Sequence, residues 1–304
     1  MAVAHAALAN QDVAEFAARA PGGAPAADDG AYGALLDALA RALAALADAD
    51  CARLLGPIVP GATMARGARI PGTSHELDPV AAAFCIGAAA CWTGPADPAG
   101  ENFGALFAVL DYRSRRAHDR AEAPPRVAEL LCAIDRARCI QSALEREADY
   151  PGAAAAAKLA VRVASAAVAA NLLGGSIAQV ATAATLAWLD GGPLPAHPRA
   201  PPIAARAGWA AADSTSRGLR LALLAIAADG GPALATPARR SAPFAAGAAA
   251  PPPDPRAALE RFAASLDAHF GARRTATILR RVTDRPAFVA MPVHEFTALI
   301  VHNA

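Results

Sequence analysis

Four polar residues in one short stretch, Arg206, Asp213, Thr215 and Arg217, are of the types that hold an anion. The guanidiniums supply charge, the hydroxyl supplies a donor, and a helix N-terminus in the Trp209–Gly218 run would add backbone N–H groups aimed at the ligand. The same residues allow a plainer reading. Asp213 and Arg217 stand at i and i+4, the spacing of a helix-surface ion pair worth roughly 0.3–0.5 kcal/mol. His75, Glu76 and Asp78 could begin a metal site, but His75 has no second His or Cys at ligand spacing, so a polar loop cluster and no metal are expected. Cys85 and Cys91 flank an apolar helix and read as small core residues rather than nucleophiles. His197 lies in a proline-rich loop and is expected to be exposed. No glycine-rich phosphate loop and no Ser-His-Asp order stands out, and no cofactor is implied.

The elements that must position these groups are helical. The 304 residues are 55% hydrophobic, 18% charged and only 5% aromatic, with long alanine tracts that suit close helix–helix contact better than a sheet. An all-α fold is expected. Lys+Arg 28 against Asp+Glu 27 leaves a net charge of +1, which gives no field to attract nucleic acid or an anionic membrane. Five cysteines without a C-x-x-C pair read as reduced thiols. The first twelve residues lack a basic n-region and meet Asp12 before any long apolar run, so no secretory signal is read and a cytoplasmic protein is expected. The most apolar stretch, Ala153 to Leu189, is broken by Lys158, Arg162, Asn171 and Gly174-Gly175, which argues for buried helices over a membrane span.

Along the chain, Leu35, Leu36, Leu39, Leu43 and Leu46 mark one face of a helix over 32–46. Gly56 to Pro79 reads as an ordered loop, with Asp78 capping a helix that begins at Pro79. A helix over 153–173 should close at Gly174-Gly175, and Ser176 with Gln179 has capping-box spacing for the next, which should stop at Asp190. Another helix is expected over 209–228. Residues 230–255 are a Gly/Pro/Ala linker, and helices follow over 256–270 and 275–281 and from Met291. The division is thus an N-terminal segment and linker (1–31), a helical domain (32–229), the linker (230–255) and C-terminal helices packing back on that domain (256–304).

Several blocks agree in order with one family. Leu54-Leu55-Gly56-Pro57, the Arg69-Ile70-Pro71-Gly72-Thr73 loop, Val161 to Gly175, Trp209 to Arg217 and Met291 to Phe296 resemble the 2-methylcitrate dehydratase branch of the MmgE/PrpD family over roughly two-thirds of the chain. The resemblance implies a large helical domain to which the family adds a smaller α+β lid. The lid's place, between Ala228 and Arg256, holds only the linker. It also implies dehydration of a 2-hydroxy tricarboxylate, which needs a base beside a carboxylate, an acid for the leaving hydroxide and cations for the carboxylates.

By the same resemblance, the acid–base positions have changed. The family's Leu-Asp-Phe-x-Asp-Thr-Trp run aligns with Thr93 to Asn102, so Gly94 replaces an aspartate, Pro98 replaces the threonine, and a following histidine is deleted. Asp97 is the one survivor. A second histidine falls on Ala157 and a lysine on Ala207. A one-residue slip would put Lys158 in the histidine's place, but the Arg162-Val163-Ala164-Ser165 block sets the register against it. The expected function is a 2-methylcitrate dehydratase-like protein of propionate catabolism, impaired in catalysis and kept as a structural or regulatory paralogue. It would form a homodimer or a heterodimer with a complete family member, with a small tricarboxylate as its candidate ligand. One alternative is a hydro-lyase or isomerase of altered chemistry on a small di- or tricarboxylate, using Asp97, Glu101 and a lysine or arginine brought in from elsewhere. The other is a decayed product without a selected role.

Overall fold

Alanine, the strongest helix former, sets the architecture. The computed structural model describes residues 10–19, 29–93, 98–147, 153–190, 204–228 and 251–302. In order these form α1 (Asn10–Ala18), α2 (Asp29–Ala45), α3 (Ala49–Leu54), the two-residue strands β1 (Ala68–Arg69) and β2 (Glu76–Leu77), α4 (Pro79–Ala90), α5 (Pro98–Arg116), α6 (Val127–Glu147) and α7 (Ala153–Leu172). They continue with α8 (Ile177–Leu189), α9 (Ala204–Ala227), α10 (Pro255–Phe270), α11 (Ala272–Thr283), α12 (Arg285–Ala290) and α13 (Val293–Leu299). The sole sheet among the described residues is the antiparallel β1–β2 pair, Ala68 opposite Leu77. The fold class is all-α, as the composition implied.

Helix α5 is the centre. Every residue from Gly100 to Asp111 is buried, and α2, α4, α6, α7, α9 and α13 all contact it. Phe103 and Phe107 pack with their rings tilted at 46° and 5.1 Å between centroids, and Phe107 meets Phe296 of α13 edge-on at 6.5 Å. The C-terminal helices complete this core. Phe262 and Leu266 of α10 bury against α2, Arg261 donates to Asp37 at 2.6 Å, and Phe288 packs on both Tyr32 and Phe296.

Local signals set several boundaries. Asp78 accepts from the Val80 and Ala81 N–H groups and caps α4, whose first residue is Pro79. Ser176 and Gln179 form the reciprocal capping box at the start of α8, and Asp190 ends that helix. Gly174 takes φ +85° just after α7, where a side chain would be strained.

Three expectations change. Residues 1–31 are not all segment and linker: α1 buries Val13, Ala14 and Ala17 against α7 and α8, and α2 already starts at Asp29. The expected helix over 209–228 begins earlier, at Ala204, because nothing after Pro202 interrupts helical hydrogen bonding and Ala204-Ala205 favour it. Similarly, the helix expected over 275–281 spans Ala272–Thr283. The linker and lid interval, from 229 to 250, lies outside the described residues, whereas Asp254 caps α10.

Candidate functional site

A run of polar side chains crosses the otherwise apolar contact between α5, α6, α7 and α9. Glu101 stands in the first turn of α5, where the helix N-terminus favours its negative charge, and Lys158 of α7 reaches its Oε1. Gln141 of α6 donates through Nε2 to Glu101 Oε2 at 2.9 Å and to Glu145 Oε1 at 2.8 Å. The other end of Gln141 accepts from Asn102 Nδ2. Ser165 of α7 donates to Asn102 Oδ1 at 2.7 Å and lies 3.0 Å from Thr215 Oγ1 of α9. Thr215 in turn accepts from the Ala105 N–H at 3.2 Å.

Burial makes this network consequential. Glu101 is 5% exposed, Gln141 1%, and Asn102, Ser165 and Thr215 are fully buried. Polar groups taken out of water must be paired, and each of these is. Burial pushes the Glu145 carboxyl above its ordinary range and the Glu101 charge adds to the rise, against the lowering effects of the Gln141 hydrogen bond and Lys158. Two carboxyls and an ammonium therefore meet around Gln141, which are the residue types of an acid–base site.

One turn along α7 from Lys158, Arg162 begins a second cluster. Its Nη1 hydrogen-bonds the Asp190 carbonyl, and the Asp190 carboxylate accepts from Arg217 Nε at 2.9 Å. Asp213 stands 3.7 Å from Arg217, with their side chains 56% and 43% exposed. Burial, then the neighbouring Arg217, draws Arg162 below its ordinary value, and Asp190 and Asp213 oppose that.

Of the residues singled out in the sequence, Thr215 is in the buried network, and Asp213 and Arg217 are in the outer cluster. The helix N-terminus that was to serve them is at Ala204 instead, so Asp213 and Thr215 sit inside α9 with their N–H groups already committed to the helix. Arg206 and Ala207 fall in the first turn of α9, Ala157 in the early part of α7, and Pro98 opens α5. Gly94, Asp97 and His197 lie outside the described residues. His75 packs its ring near Gly56, Glu76 pairs with Arg115 at 2.8 Å, and Asp78 is a helix cap. Among the described residues no three His, Cys, Asp or Glu side chains come together as a metal cluster. Cys51, Cys85, Cys91 and Cys139 are buried reduced thiols and Cys132 is partly buried; burial pushes Cys51 up to about 12, so it is no nucleophile at neutral pH. None of the described helices is long and apolar enough to cross a membrane.

Gln141, Glu145 and Ser165 carry no recognisable motif. Their signal is a polar residue in an apolar helical run, as in Ile140-Gln141 and Val163-Ala164-Ser165-Ala166, which demands a partner elsewhere in the fold. In the sequence Lys158 reads as a charged break in the apolar 153–189 stretch, one residue out of register with the family's histidine; its partner, Glu101, is supplied by a distant helix.

Comparison with known proteins gives a consistent result. The MmgE/PrpD N-terminal domain family matches residues 11–241. The 2-methylcitrate dehydratase of Escherichia coli (strain K12) is 41% identical over 209 residues, covering 65% of this chain and 42% of that protein. The 2-methylcitrate dehydratase of Cupriavidus necator is 37% identical over 226 residues, covering 70% and 46%. A probable 2-methylcitrate dehydratase of Saccharomyces cerevisiae is 33% identical over 229 residues, covering 70% and 44%. The chain thus spans less than half the length of these curated relatives.

Proposed function

Because the chain belongs to the MmgE/PrpD family, we propose that it is a 2-methylcitrate dehydratase-like protein whose ancestral acid–base chemistry is impaired and which acts as a structural or regulatory paralogue in propionate catabolism. The observation that carries this reading is the closure of Glu101 by Lys158. The two groups that could best substitute for the replaced histidine and aspartate are spent on each other and on Gln141. A general base must be free to meet the substrate proton, and a carboxylate already held by an ammonium and an amide is a poor one. In this role the protein would pair with itself or with a complete family member, and retain at most a small tricarboxylate ligand.

The test is loss of 2-methylcitrate with the purified chain, beside Gly94→Asp and Ala207→Lys variants, and a measurement of oligomeric state. No turnover by the unmodified chain, with dimers in solution, is the expected result. Turnover by the unmodified chain overturns it.

A second reading rests on Glu145. A carboxyl with a raised pKa beside an ammonium is the pairing that proton transfer on a di- or tricarboxylate requires, so an altered hydro-lyase or isomerase would use Glu145 and Lys158. That reading requires turnover on such a substrate that Lys158→Ala abolishes while the chain stays folded.

A further inference from the structure

Three polar atoms from three parts of the chain converge beside the C-terminal end of α10. His269 Nε2 lies 2.8 Å from the Gly72 carbonyl oxygen and 3.1 Å from His302 Nε2. The segments that bring them together are held by backbone bonds. The Gly72 N–H donates to the Ile300 carbonyl at 2.7 Å, and the His302 N–H donates to the Thr73 carbonyl at 2.9 Å. Arg274 of α11 secures the same tail by donating to the carbonyls of Leu299 and Val301. The His269 ring is fixed edge-on against Phe270, with centroids 4.6 Å apart.

This convergence is awkward for hydrogen bonding alone. An imidazole nitrogen carries a proton or a lone pair, never both. If His269 Nε2 is protonated, one hydrogen must be shared between a carbonyl and a second imidazole. If it is not, its lone pair faces the lone pairs of the Gly72 oxygen at close range. A cation among the three atoms resolves both cases, because each then serves as a ligand. Ligand atoms about 2.0–2.1 Å from a zinc ion stand roughly 3.3–3.4 Å apart at tetrahedral angles, so the 2.8 Å and 3.1 Å separations here would open by a few tenths of an ångström around a bound ion. Two imidazoles with one oxygen suit zinc, copper or nickel rather than magnesium or calcium.

We propose that His269 Nε2, His302 Nε2 and the Gly72 carbonyl form a divalent transition-metal site, with water completing the coordination of Zn2+. The metal would clamp the C-terminal tail and α10 onto the Arg69–Thr73 loop. Partial desolvation, with His269 and Arg274 nearby, draws the His302 pKa below its ordinary value. Arg274 is the facing cation and moderates the affinity. The site lies on α10 and the tail, away from the Glu101–Lys158 network, so it stands whether or not the chain has enzymatic activity.

The test is calorimetric titration of the full chain with ZnCl2, alongside MgCl2, with thermal melts of the same samples. Saturable binding of one Zn2+ that raises the midpoint, weakened at least tenfold in both His269→Ala and His302→Gln, with no response to Mg2+, is the expected result. His302→Gln keeps a polar side chain at the tail, and circular dichroism of each variant establishes that it is folded before titration. No Zn2+ binding by the parent chain, or equal binding by parent and folded variants, overturns the proposal.

Discussion

Lys158 of α7 extends to the carboxylate of Glu101 at the start of α5 and covers it, leaving Glu101 5% exposed. Fifty-seven residues separate the two along the chain, and the pair joins the helices that bear the altered Pro98 and Ala157 positions. A charge so enclosed must have its partner, because desolvation costs each ion several kcal/mol.

Removing only the ammonium should therefore be costly. Lys158→Met is expected to destabilise the fold by about 2–4 kcal/mol, a little below the full range for a broken buried pair because the lysine side chain is one-quarter exposed. Adding Glu101→Gln should restore at least half of that loss, since a neutral amide can still accept from Gln141. Urea denaturation of the two single variants and the double variant measures the coupling; simple additivity would show that the pair does not interact.

Glu145 gives a pH-dependent expectation. Burial and the Glu101 charge raise its folded-state pKa above the unfolded value. The stability tied to this group is then fully present below the unfolded pKa of about 4.3 and is lost as pH rises through the folded value. Glu145→Gln removes that loss while leaving an oxygen for Gln141. The variant should melt above the parent at neutral pH, and the difference should vanish by about pH 3.5. A difference that grows on acidification would mean the carboxylate is stabilised by the fold instead.

The outer cluster separates two aspartates. Asp213 is more than half exposed and 3.7 Å from Arg217, so Asp213→Ala should change stability by less than about 0.5 kcal/mol. Asp190 holds Arg217 at 2.8 Å and faces Arg162, whose side chain is 10% exposed. Asp190→Ala should cost about 1–3 kcal/mol, because it leaves a buried guanidinium without its counter-charge. Chemical denaturation checks both, and equal effects would refute the assignment of Arg162 to Asp190.

What could be read directly from the sequence was local. The Ser176–Gln179 box, the Asp78 cap and the Gly174 turn depend on residues within four positions of one another, and they form as their spacing implies. The leucines of α2 repeat at helical intervals and bury as one face. The network between α5 and α9 is a different kind of information. Asn102 meets Gln141, Ser165 and Thr215 across dozens of residues, so only tertiary packing shows that these polar groups satisfy one another. Thr215 illustrates the difference. Its place in the Trp-Ala-Ala-x-Asp-x-Thr-Ser-Arg run suggested a ligand-facing hydroxyl, but that reading assumed a helix start nearby. With α9 beginning at Ala204, Thr215 points into the helix contact. Helix α1 was hidden for a related reason: nine residues carry too short a periodic pattern to read without their partners on α7 and α8.

The close approach that makes this contact possible is testable at Gly104. A β-carbon there would stand 2.3 Å from the Ala83 carbonyl oxygen and 3.0 Å from Thr215 Cγ2. On an exposed helix, glycine to alanine gains about 1 kcal/mol through backbone entropy. At Gly104 the obstructing atom is backbone of α4, which cannot rotate away, so α4 and α5 must separate or Thr215 must shift. Gly104→Ala should therefore destabilise by about 1–3 kcal/mol, reversing the usual sign. Displacing Thr215 would also loosen its bonds to Ser165 and the Ala105 N–H, so the loss should shrink in part when Thr215→Ser is added, which removes the secondary 3.0 Å methyl contact and keeps the hydroxyl but leaves the Ala83 carbonyl clash in place. Urea midpoints for the two single variants and the double variant decide it. A stabilised Gly104→Ala chain would mean that α4 and α5 do not pack as closely as the structure has them.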